Sequence, residues 1–520
     1  ATPESLVQRA RASAAAQVER QYQHLNWAGP RPRDRASLAA QVGTRALPDP
    51  ALAQADLAAL RARLAARTLT RVDLVRLYLD RILRLDLDRL NSVIVVDPEA
   101  LAEAERADAR AAAGHAPHTP LEGMPVLVKD NIGTRGPLPT TAGAWALREA
   151  VCDRDSTVVA RLRAAGAIIL GKTNLSEWAN WTTDDMPNGF SSVGGQTHNA
   201  YGRFEVSGSS SGSAVAASAG LCAVAIGSET WGSLVSPASA NGVATLKPSL
   251  GVISRDRIIP ITEAQDTAGP MARCVADLAA VMDVLAGPDD HDPETAHANA
   301  AARGFVAALD AGALRGVRVG IIRQSLDVDP EAGLWRERLR AGLRAAGAVP
   351  VDLSPTPIEQ RLCREDFMAV AKYDFLHGID AYLAATKAPF HSLAELVAWN
   401  AEDAAARVPW GQTLLVASAA QTLDEAAYRR ARDRNRAAAR AYIDALLREG
   451  DCALLAGVGS ASFVPFAVAG APAAGVPLGL RTSGEPVGAT LIGRYFDDVS
   501  VLAAAFALEQ ATRARIAPAL

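Results

Sequence analysis

The spacing of apolar and polar positions along the chain predicts helices that alternate with short strands. Apolar residues recur with helical spacing over residues 58–85, 101–113 and 157–165. Between and after these segments lie short runs of β-branched and aliphatic residues, at 91–96, 125–129 and 167–170. This alternation is typical of an α/β fold built on one large sheet.

The two ends of the chain differ from this central region. Residues 1–65 are rich in Ala, Arg, Gln and Leu, with breakers near Gly29-Pro30 and at 48–50. We therefore expect a helical arm over 1–60, packed on a second domain that spans 61–520. Further along, residues 317–322 predict a strand, 330–450 are mostly helical in pattern, and the tail predicts a helix near 501–513.

Residues 202–248 form a segment of Ser, Gly and Ala with almost no charge, and residues 469–479 return to the same style. Many small residues without charge predict tightly packed backbone rather than a solvated linker. No internal repeat of fixed period is visible. The whole chain is therefore expected to fold around a substantial core.

Composition excludes several classes of function. Hydrophobic residues make up 49% and charged residues 21% of the 520, and the formal net charge is −4. No basic field is present to attract nucleic acid or anionic lipid, so a small molecule or a peptide is the expected partner. No apolar run reaches the roughly 20 residues that a membrane span needs, so we expect a soluble protein. Because the sequence starts at Ala1 without Met, we expect either a cytoplasmic protein or one exported after processing.

Cysteine and lysine usage narrows the chemistry further. The five cysteines, at 152, 222, 274, 363 and 452, lie far apart, which predicts buried free thiols rather than a zinc site or a disulfide framework. Only five of the 53 basic residues are lysines, at 129, 172, 247, 372 and 387. Arginine stays protonated and cannot act as a base. A catalytic lysine must therefore be one of these five.

Two motifs suggest chemistry that their surroundings do not favour. Residues 166–173 (GAIILGKT) match the phosphate-binding loop pattern, but the apolar AIIL between the glycines predicts a buried strand. Residues 208–212 (GSSSG) match the nucleophile elbow of α/β-hydrolases. That interpretation needs a later acid and then a histidine, whereas His291, His377 and His391 lie in charged or helical settings that favour surface roles.

A third interpretation connects three segments. Lys129 ends an apolar strand, and burial there would lower its pKa toward neutrality. Ser209 and Ser210 lie in a glycine-flanked loop. Residues 227–233 (GSETWGS) place Ser233 directly after a turn whose amides can converge on an oxyanion. Taken singly, these residues also fit a salt bridge, a tight helix contact and a helix cap.

Together, the segments resemble the amidase signature family, and within it the bacterial peptide amidases. The resemblance covers roughly residues 60–515. Besides Ser233, it rests on segments 123–131, 171–180, 194–201, 207–213, 246–248, 265–273, 471–472 and 485–488.

The resemblance implies a single large catalytic domain with a mixed central sheet that is covered by helices on both sides. It assigns Ser233 as the nucleophile, Ser209 as the serine that bridges to it through a cis peptide bond, and Lys129 as the base. It also implies an oxyanion hole from the backbone amides of Thr230, Trp231, Gly232 and Ser233. Supporting or pocket positions fall on Asn131, Ser210, Trp231 and Asp266.

In this mechanism neutral Lys129 takes a proton from Ser209, which takes one from Ser233 as it attacks the carbonyl carbon. The proton returns to the leaving amine, and water then hydrolyses the acyl-enzyme. The mechanism needs neither a metal nor an organic cofactor. Members of the family occur as monomers or dimers, so either a monomer or a homodimer is expected.

Departures from the family pattern bear on specificity. Ser207 and Ser211 replace common glycines, and Trp231 stands where glycine or aspartate is usual. We expect the Trp231 indole to wall the pocket and to favour aromatic or flat acyl groups. The sequence of residues 454–463 also differs from that of the loop that helps to shape the substrate site in peptide amidases. Peptide amides, aryl amides, esters and carbamates therefore stay open as substrates. Two alternative roles also stay open, those of a non-catalytic binding relative and of a glutaminase component in a transamidation complex.

Overall fold

The fold was obtained as a computed structural model, which describes residues 3–23, 34–115, 118–298, 303–323, 328–354, 360–386, 388–460 and 463–520. Within these residues the strands are β1 Val93–Val96, β2 Pro125–Lys129, β3 Ile168–Thr173, β4 Phe190–Ser191, β5 Gly195–Gln196, β6 Val224–Glu229, β7 Ala244–Lys247, β8 Thr267–Ala272, β9 Arg318–Ile321, β10 Val349–Asp352, β11 Leu454–Val458, β12 Ala473–Leu480 and β13 Pro486–Ile492.

Helices make up most of the remaining regular structure. They are α1 Pro3–Gln21, α2 Arg35–Val42, α3 Leu57–Ala65, α4 Arg71–Arg81, α5 Ala100–Ala112, α6 Thr157–Ala164, α7 Ser211–Ala219, α8 Val235–Ala240, α9 Val275–Leu285, α10 Ala332–Ala345, α11 Gln360–Ala385, α12 Leu393–Glu402, α13 Ala404–Arg407, α14 Thr413–Ala419, α15 Glu425–Glu449, α16 Phe463–Ala469 and α17 Asp498–Thr512. Short 3₁₀ turns, and a π-helical stretch at Ile82–Leu90, connect several of them.

One mixed sheet organises the molecule. Its eleven strands follow the order β1-β3-β2-β6-β8-β7-β12-β13-β11-β9-β10 in the described part of the chain, and β4 pairs with β5 in a separate ribbon. The strands β3, β2 and β6 run parallel to one another, as do β11, β9 and β10, while the centre of the sheet is antiparallel. The predicted mixed central sheet is confirmed.

Burial along the strands shows that both faces of the sheet are covered. Every residue of β2, β3, β6 and β13 is buried, although successive side chains of a strand point to opposite faces. Helices α5, α7 and α17 pack on these strands, and α9 packs on β7 and β8. A large continuous core of aliphatic residues fills the space between them.

The strands predicted from apolar runs are confirmed at β1, β2, β3 and β9, and the tail helix is confirmed at α17. Two predictions were incomplete. The helical pattern over 58–85 is divided between α3 and α4, because Arg67 has φ 56° and Thr70 caps a new helix by accepting from the Asp73 amide. The region 330–450 also contains the strand β10, which is short and lies at the edge of the sheet.

The N-terminal region is helical in α1 and α2, whereas the breaker at Gly29-Pro30 lies outside the described residues. Gln21 donates to the Glu205 carboxylate at 2.6 Å, and the α2 residues Leu38 and Val42 are buried in the main core. The boundary between an arm over 1–60 and a domain over 61–520 stays a prediction.

Other sequence expectations can be compared directly. Cys152, Cys222 and Cys452 are free and buried, Cys274 is free and partly buried, and the side chain of Cys363 lies outside the described residues.

Residues 168–173 of the apparent phosphate-binding loop form the buried strand β3, as predicted, and Lys172 forms a buried ion pair with Asp130 at 3.3 Å. Among the helices described, none has both the length and the apolarity to cross a bilayer.

Candidate active site

Lys129 lies where the parallel part of the sheet meets the serine-rich segment. It is the last residue of β2, and the neighbouring β6 ends at Glu229 just before the turn that carries Ser233. Because the carboxyl ends of parallel strands lie at one edge of a sheet, Lys129 and this turn are brought together. The Lys129 side chain is fully buried.

Four oxygen atoms surround the Lys129 amine. Its Nζ lies 2.8 Å from Ser209 Oγ, 3.0 Å from Ser210 Oγ, 3.0 Å from Ser228 Oγ and 3.2 Å from the Ser228 carbonyl oxygen. An ammonium group has only three N–H bonds to donate, whereas a neutral amine donates two and accepts one. Each form therefore makes three hydrogen bonds, and both the ammonium and the neutral amine fit these contacts.

Burial favours the neutral form of the Lys129 amine. Desolvation lowers the pKa of Lys129 to about 7, and the negative charges of Asp266 and Glu229 oppose this shift. A lysine in this range exists partly as the free base at neutral pH, which ordinary exposed lysines do not.

The two adjacent serines make different contacts. Ser210 Oγ donates to the Ser228 carbonyl at 2.9 Å and accepts from the Ser228 amide at 3.2 Å, so its hydroxyl is tied to the backbone of β6. The Ser209 hydroxyl makes one hydrogen bond in the described chain, the contact with Lys129. The peptide bond that joins Gly208 to Ser209 is cis. Of the two serines, Ser209 is therefore the one whose hydroxyl is not tied to the backbone of β6.

The segment that carries Ser233 contacts the segment that carries Ser209 and Ser210. The amide of Ser210 donates to the Ser233 carbonyl at 3.3 Å, so the two serine segments touch directly. Ser233 itself is 7% exposed. The turn before it includes Gly232 at φ +87°, a left-handed conformation that favours glycine and lets the chain reverse at this point.

A buried carboxylate holds the Ser233 turn in place. Glu229 Oε2 accepts from the amides of Leu234 at 2.8 Å and Val235 at 3.2 Å, and the carboxylate also interacts with the Gly232 amide. Burial raises the pKa of Glu229, and the positive charge of Lys247 opposes that rise. Burial also lowers the pKa of Lys247 to about 8. The backbone on both sides of Ser233 is thus anchored to one side chain.

Asp266 links the same turn to the wall of the site. Its Oδ1 accepts from the Thr230 hydroxyl at 2.5 Å, and its Oδ2 accepts from the amides of Ile261 and Thr262 at 2.8 and 3.0 Å. Burial raises the pKa of Asp266 to about 6, so it is largely ionised at neutral pH. Asn131 supports the other side, where its Nδ2 donates to Ser228 Oγ at 3.0 Å.

A cavity of about 700 Å³ opens onto these groups. Ser209, Ser228, Thr230, Asn131 and Asp266 line it together with residues of α11 and α15. Ser233 is not among the described residues that line it. This volume suits a small peptide or an aryl-containing molecule. The exposed histidines His291 and His377 lie along the cavity, whereas His391 is exposed elsewhere.

Trp231 lies in the Ser233 turn and contacts helix α11. It is half-buried, and its indole packs edge-to-face against Phe367 of α11 with the ring centres 4.0 Å apart. It is not among the described residues that line the 700 Å³ cavity. The indole therefore connects the Ser233 turn to α11, and its effect on acyl preference stays a prediction.

Several site residues were missed in the sequence. Ser228, Glu229 and Thr262 hold the assembly together, and Asp374 and Tyr428 line the cavity. A signal existed for Glu229, since it is the only charged residue between Ser207 and Lys247. An isolated charge in such a segment indicates a buried group with dedicated partners. No comparable signal marked Asp374 or Tyr428, which lie on Arg- and Ala-rich helices.

Comparison with known proteins identifies the class. The amidase family model matches residues 73–463. A solved peptide amidase from Stenotrophomonas maltophilia is 42% identical and covers 91% of this chain and 99% of its own, with a TM-score of 0.86. A probable amidase from Arabidopsis thaliana is 35% identical over 89% of this chain and 91% of its own length. A glutamyl-tRNA(Gln) amidotransferase subunit from Synechococcus sp. is 33% identical over 82% of this chain and 90% of its own length.

The fold and these similarities define an amide-hydrolysing serine enzyme. The chain belongs to the amidase signature family.

Proposed function

We propose that this enzyme cleaves carboxamides with Ser233 as nucleophile, Ser209 as proton relay and Lys129 as base. The observation that carries the proposal is the 2.8 Å contact between Lys129 Nζ and Ser209 Oγ, made by a lysine whose pKa is about 7. Such a lysine accepts a proton at neutral pH. The amide of Ser210, which follows Ser209, donates to the Ser233 carbonyl at 3.3 Å, so the two serine segments are in contact.

The reaction then proceeds in two stages. Ser233 Oγ attacks the amide carbon while its proton passes to Ser209, and the Ser209 proton passes to the neutral Lys129. The backbone amides of Thr230, Trp231, Gly232 and Ser233 stabilise the oxyanion of the tetrahedral intermediate. Lys129 returns its proton through Ser209 to the leaving nitrogen as the C–N bond breaks. Water repeats the sequence on the acyl-enzyme, which releases the acid.

C-terminal peptide amides and aryl amides are the substrate classes that we propose. The similarity to a peptide amidase over nearly the whole chain supports the first class, and the size of the cavity fits both. The same machinery can also cleave esters and carbamates, since an alkoxide leaves more easily than an unprotonated amide nitrogen and depends less on proton transfer from Lys129. Because one relative belongs to an amidotransferase, glutamine is included among the substrates to test.

The experiment is to measure release of ammonia, amine or alcohol from a panel of peptide amides, aryl amides, glutamine, esters and carbamates. Ser233→Ala and Lys129→Ala are each expected to abolish turnover of the preferred substrate. A fluorophosphonate probe is expected to label the wild type and not the Ser233→Ala enzyme. Full activity in Ser233→Ala would exclude the assignment and make Ser210 the next candidate nucleophile. A wild-type protein that is not labelled and turns over no member of the panel would instead favour the binding-relative alternative.

A further inference from the structure

The cavity that Ser209 lines also contains a buried carboxylate on α11. Asp374 of α11 is 5% exposed, and its Oδ2 accepts a short hydrogen bond from the Thr262 hydroxyl. The Thr262 amide donates to Asp266, which in turn accepts from Thr230 beside the Ser233 turn. Thr262 and Asp266 therefore connect Asp374 to Thr230 through hydrogen bonds. Asp374 also lines the cavity that Thr230 lines.

Near Asp374, the cavity has carboxylates without a positively charged partner. Each arginine that lines it has a carboxylate partner within 3.0 Å, and these arginines are Arg154, Arg255, Arg257, Arg429 and Arg432. Asp374 and the exposed Glu263 also line the cavity, but neither forms an ion pair with any described residue. Arg255 does reach Glu263, yet it donates to the main-chain carbonyl rather than to the carboxylate.

The groups around Asp374 are suited to a cation rather than to solvent. Tyr428 is 4% exposed, and its hydroxyl lies beside the Asp374 carboxylate without making a hydrogen bond of good geometry. Its ring stacks on that of Tyr373 with the centres 4.2 Å apart, and both rings line the cavity. Aromatic faces attract cations, and the Arg432 guanidinium already lies 5.6 Å from the Tyr428 ring centre.

The electrostatics agree with this geometry. Burial, with smaller contributions from the nearby carboxylates of Glu263 and Asp266, raises the pKa of Asp374 to about 7, and the hydrogen bond from Thr262 opposes this rise. A positive charge placed beside Asp374 would offset both effects, because it favours the ionised carboxylate.

We infer that the cavity wall formed by Asp374, Glu263, Tyr373 and Tyr428 is a subsite for a positively charged group of the amide substrate, an ammonium or a guanidinium. The inference rests on the proposed function, since it concerns a substrate of the same catalytic serines. It narrows the substrate class to amides with a cationic group away from the bond that is cleaved.

The test compares matched amide substrates that differ only in charge. One series is the α-amides of acetyl-lysine, acetyl-norleucine and acetyl-glutamate, and a second places the same residues one position further from the amide, before alanine amide. In at least one series, the wild type is expected to show a kcat/KM about tenfold higher for the lysine substrate than for the norleucine substrate. This is the effect expected from one partly buried ion pair between substrate and subsite. The glutamate substrate is expected to be the poorest.

Two substitutions test whether the preference for the lysine substrate depends on the subsite. Asp374→Asn is expected to reduce the lysine preference to about twofold or less, mainly through a higher KM for the lysine substrate. The exposed Glu263→Gln is expected to reduce the preference about threefold and decides the matter if Asp374→Asn does not fold. Asp366→Asn is the matched control, since Asp366 is on the same helix but pairs with Arg434 at 2.6 Å outside the cavity.

Equal kcat/KM values for lysine and norleucine in both series would overturn the subsite while leaving the proposed function intact. So would a preference that survives in both Asp374→Asn and Glu263→Gln. If no amide, ester or carbamate is turned over, the proposed function fails and the subsite fails with it.

Discussion

Lys129 Nζ and Ser209 Oγ lie 2.8 Å apart, although 80 residues separate them in the chain. The contact forms because β2 ends at Lys129 and because Ser209 lies just before α7, which packs on β2. Both side chains are fully buried. The following predictions depend on this contact and on the buried groups that surround it.

The pH dependence of activity is expected to follow Lys129. Because the free base is the active form, kcat/KM for an uncharged amide is expected to fall about tenfold per pH unit below the Lys129 pKa of about 7 and to level off above it. The negative charge of Asp266 raises the pKa of Lys129, so Asp266→Asn is expected to move the midpoint to lower pH. A pH–rate profile from about pH 5 to 10 measures both. A rate independent of pH across this range would contradict a lysine base.

Glu229→Gln is expected to lower kcat about tenfold or more with little change in KM, because the Ser233 turn loses the charged acceptor that orients its backbone. Steady-state kinetics and the rate of fluorophosphonate labelling measure the effect. Glu509→Gln is the matched control, since Glu509 also accepts from a backbone amide, that of Val275 at 2.9 Å, but lies outside the cavity. Equal losses of kcat in the two variants would indicate a general loss of stability rather than positioning.

Trp231→Gly is expected to reduce any preference for aromatic over small acyl groups. The indole contacts Phe367, so its removal detaches the Ser233 turn from α11 and widens the space beside it. The ratio of kcat/KM values for a benzoyl amide and an acetyl amide measures the preference in each enzyme. An unchanged ratio would refute a role for Trp231 in acyl selection.

Gly212→Ala is expected to destabilise the protein by about 2–3 kcal/mol, because a new Cβ would overlap the backbone oxygens of Asn174 and Ser92. Backbone atoms in the packed core cannot move aside as a flexible side chain can. Gly333→Ala in α10 is the control, since a Cβ there meets nothing within 4 Å and is expected to stabilise by about 0.5–1 kcal/mol. Denaturant unfolding distinguishes the two signs, and a neutral Gly212→Ala would show that α7 packs more loosely than described.

Much of the fold was predictable because its signals are local. The apolar runs at 125–129 and 167–170 predicted β2 and β3, since buried parallel strands consist of continuous hydrophobic residues. The edge strand β10 was missed because its residues are partly exposed and lie within a helical region, so its pairing with β9 is what stabilises it.

The sequence by itself determined the α/β architecture, the segments that carry the candidate chemistry and the short set of lysines from which a base had to come. These properties follow from residue type and short-range spacing. Only the tertiary structure decided that Lys129 is the one hydrogen-bond partner of the Ser209 hydroxyl in the described chain and that Glu229 anchors the Ser233 turn. It also decided that Asp374 and Tyr428 share a cavity with Ser209. The physical reason is that burial, pKa and charge balance depend on neighbours that the chain brings together from distant segments.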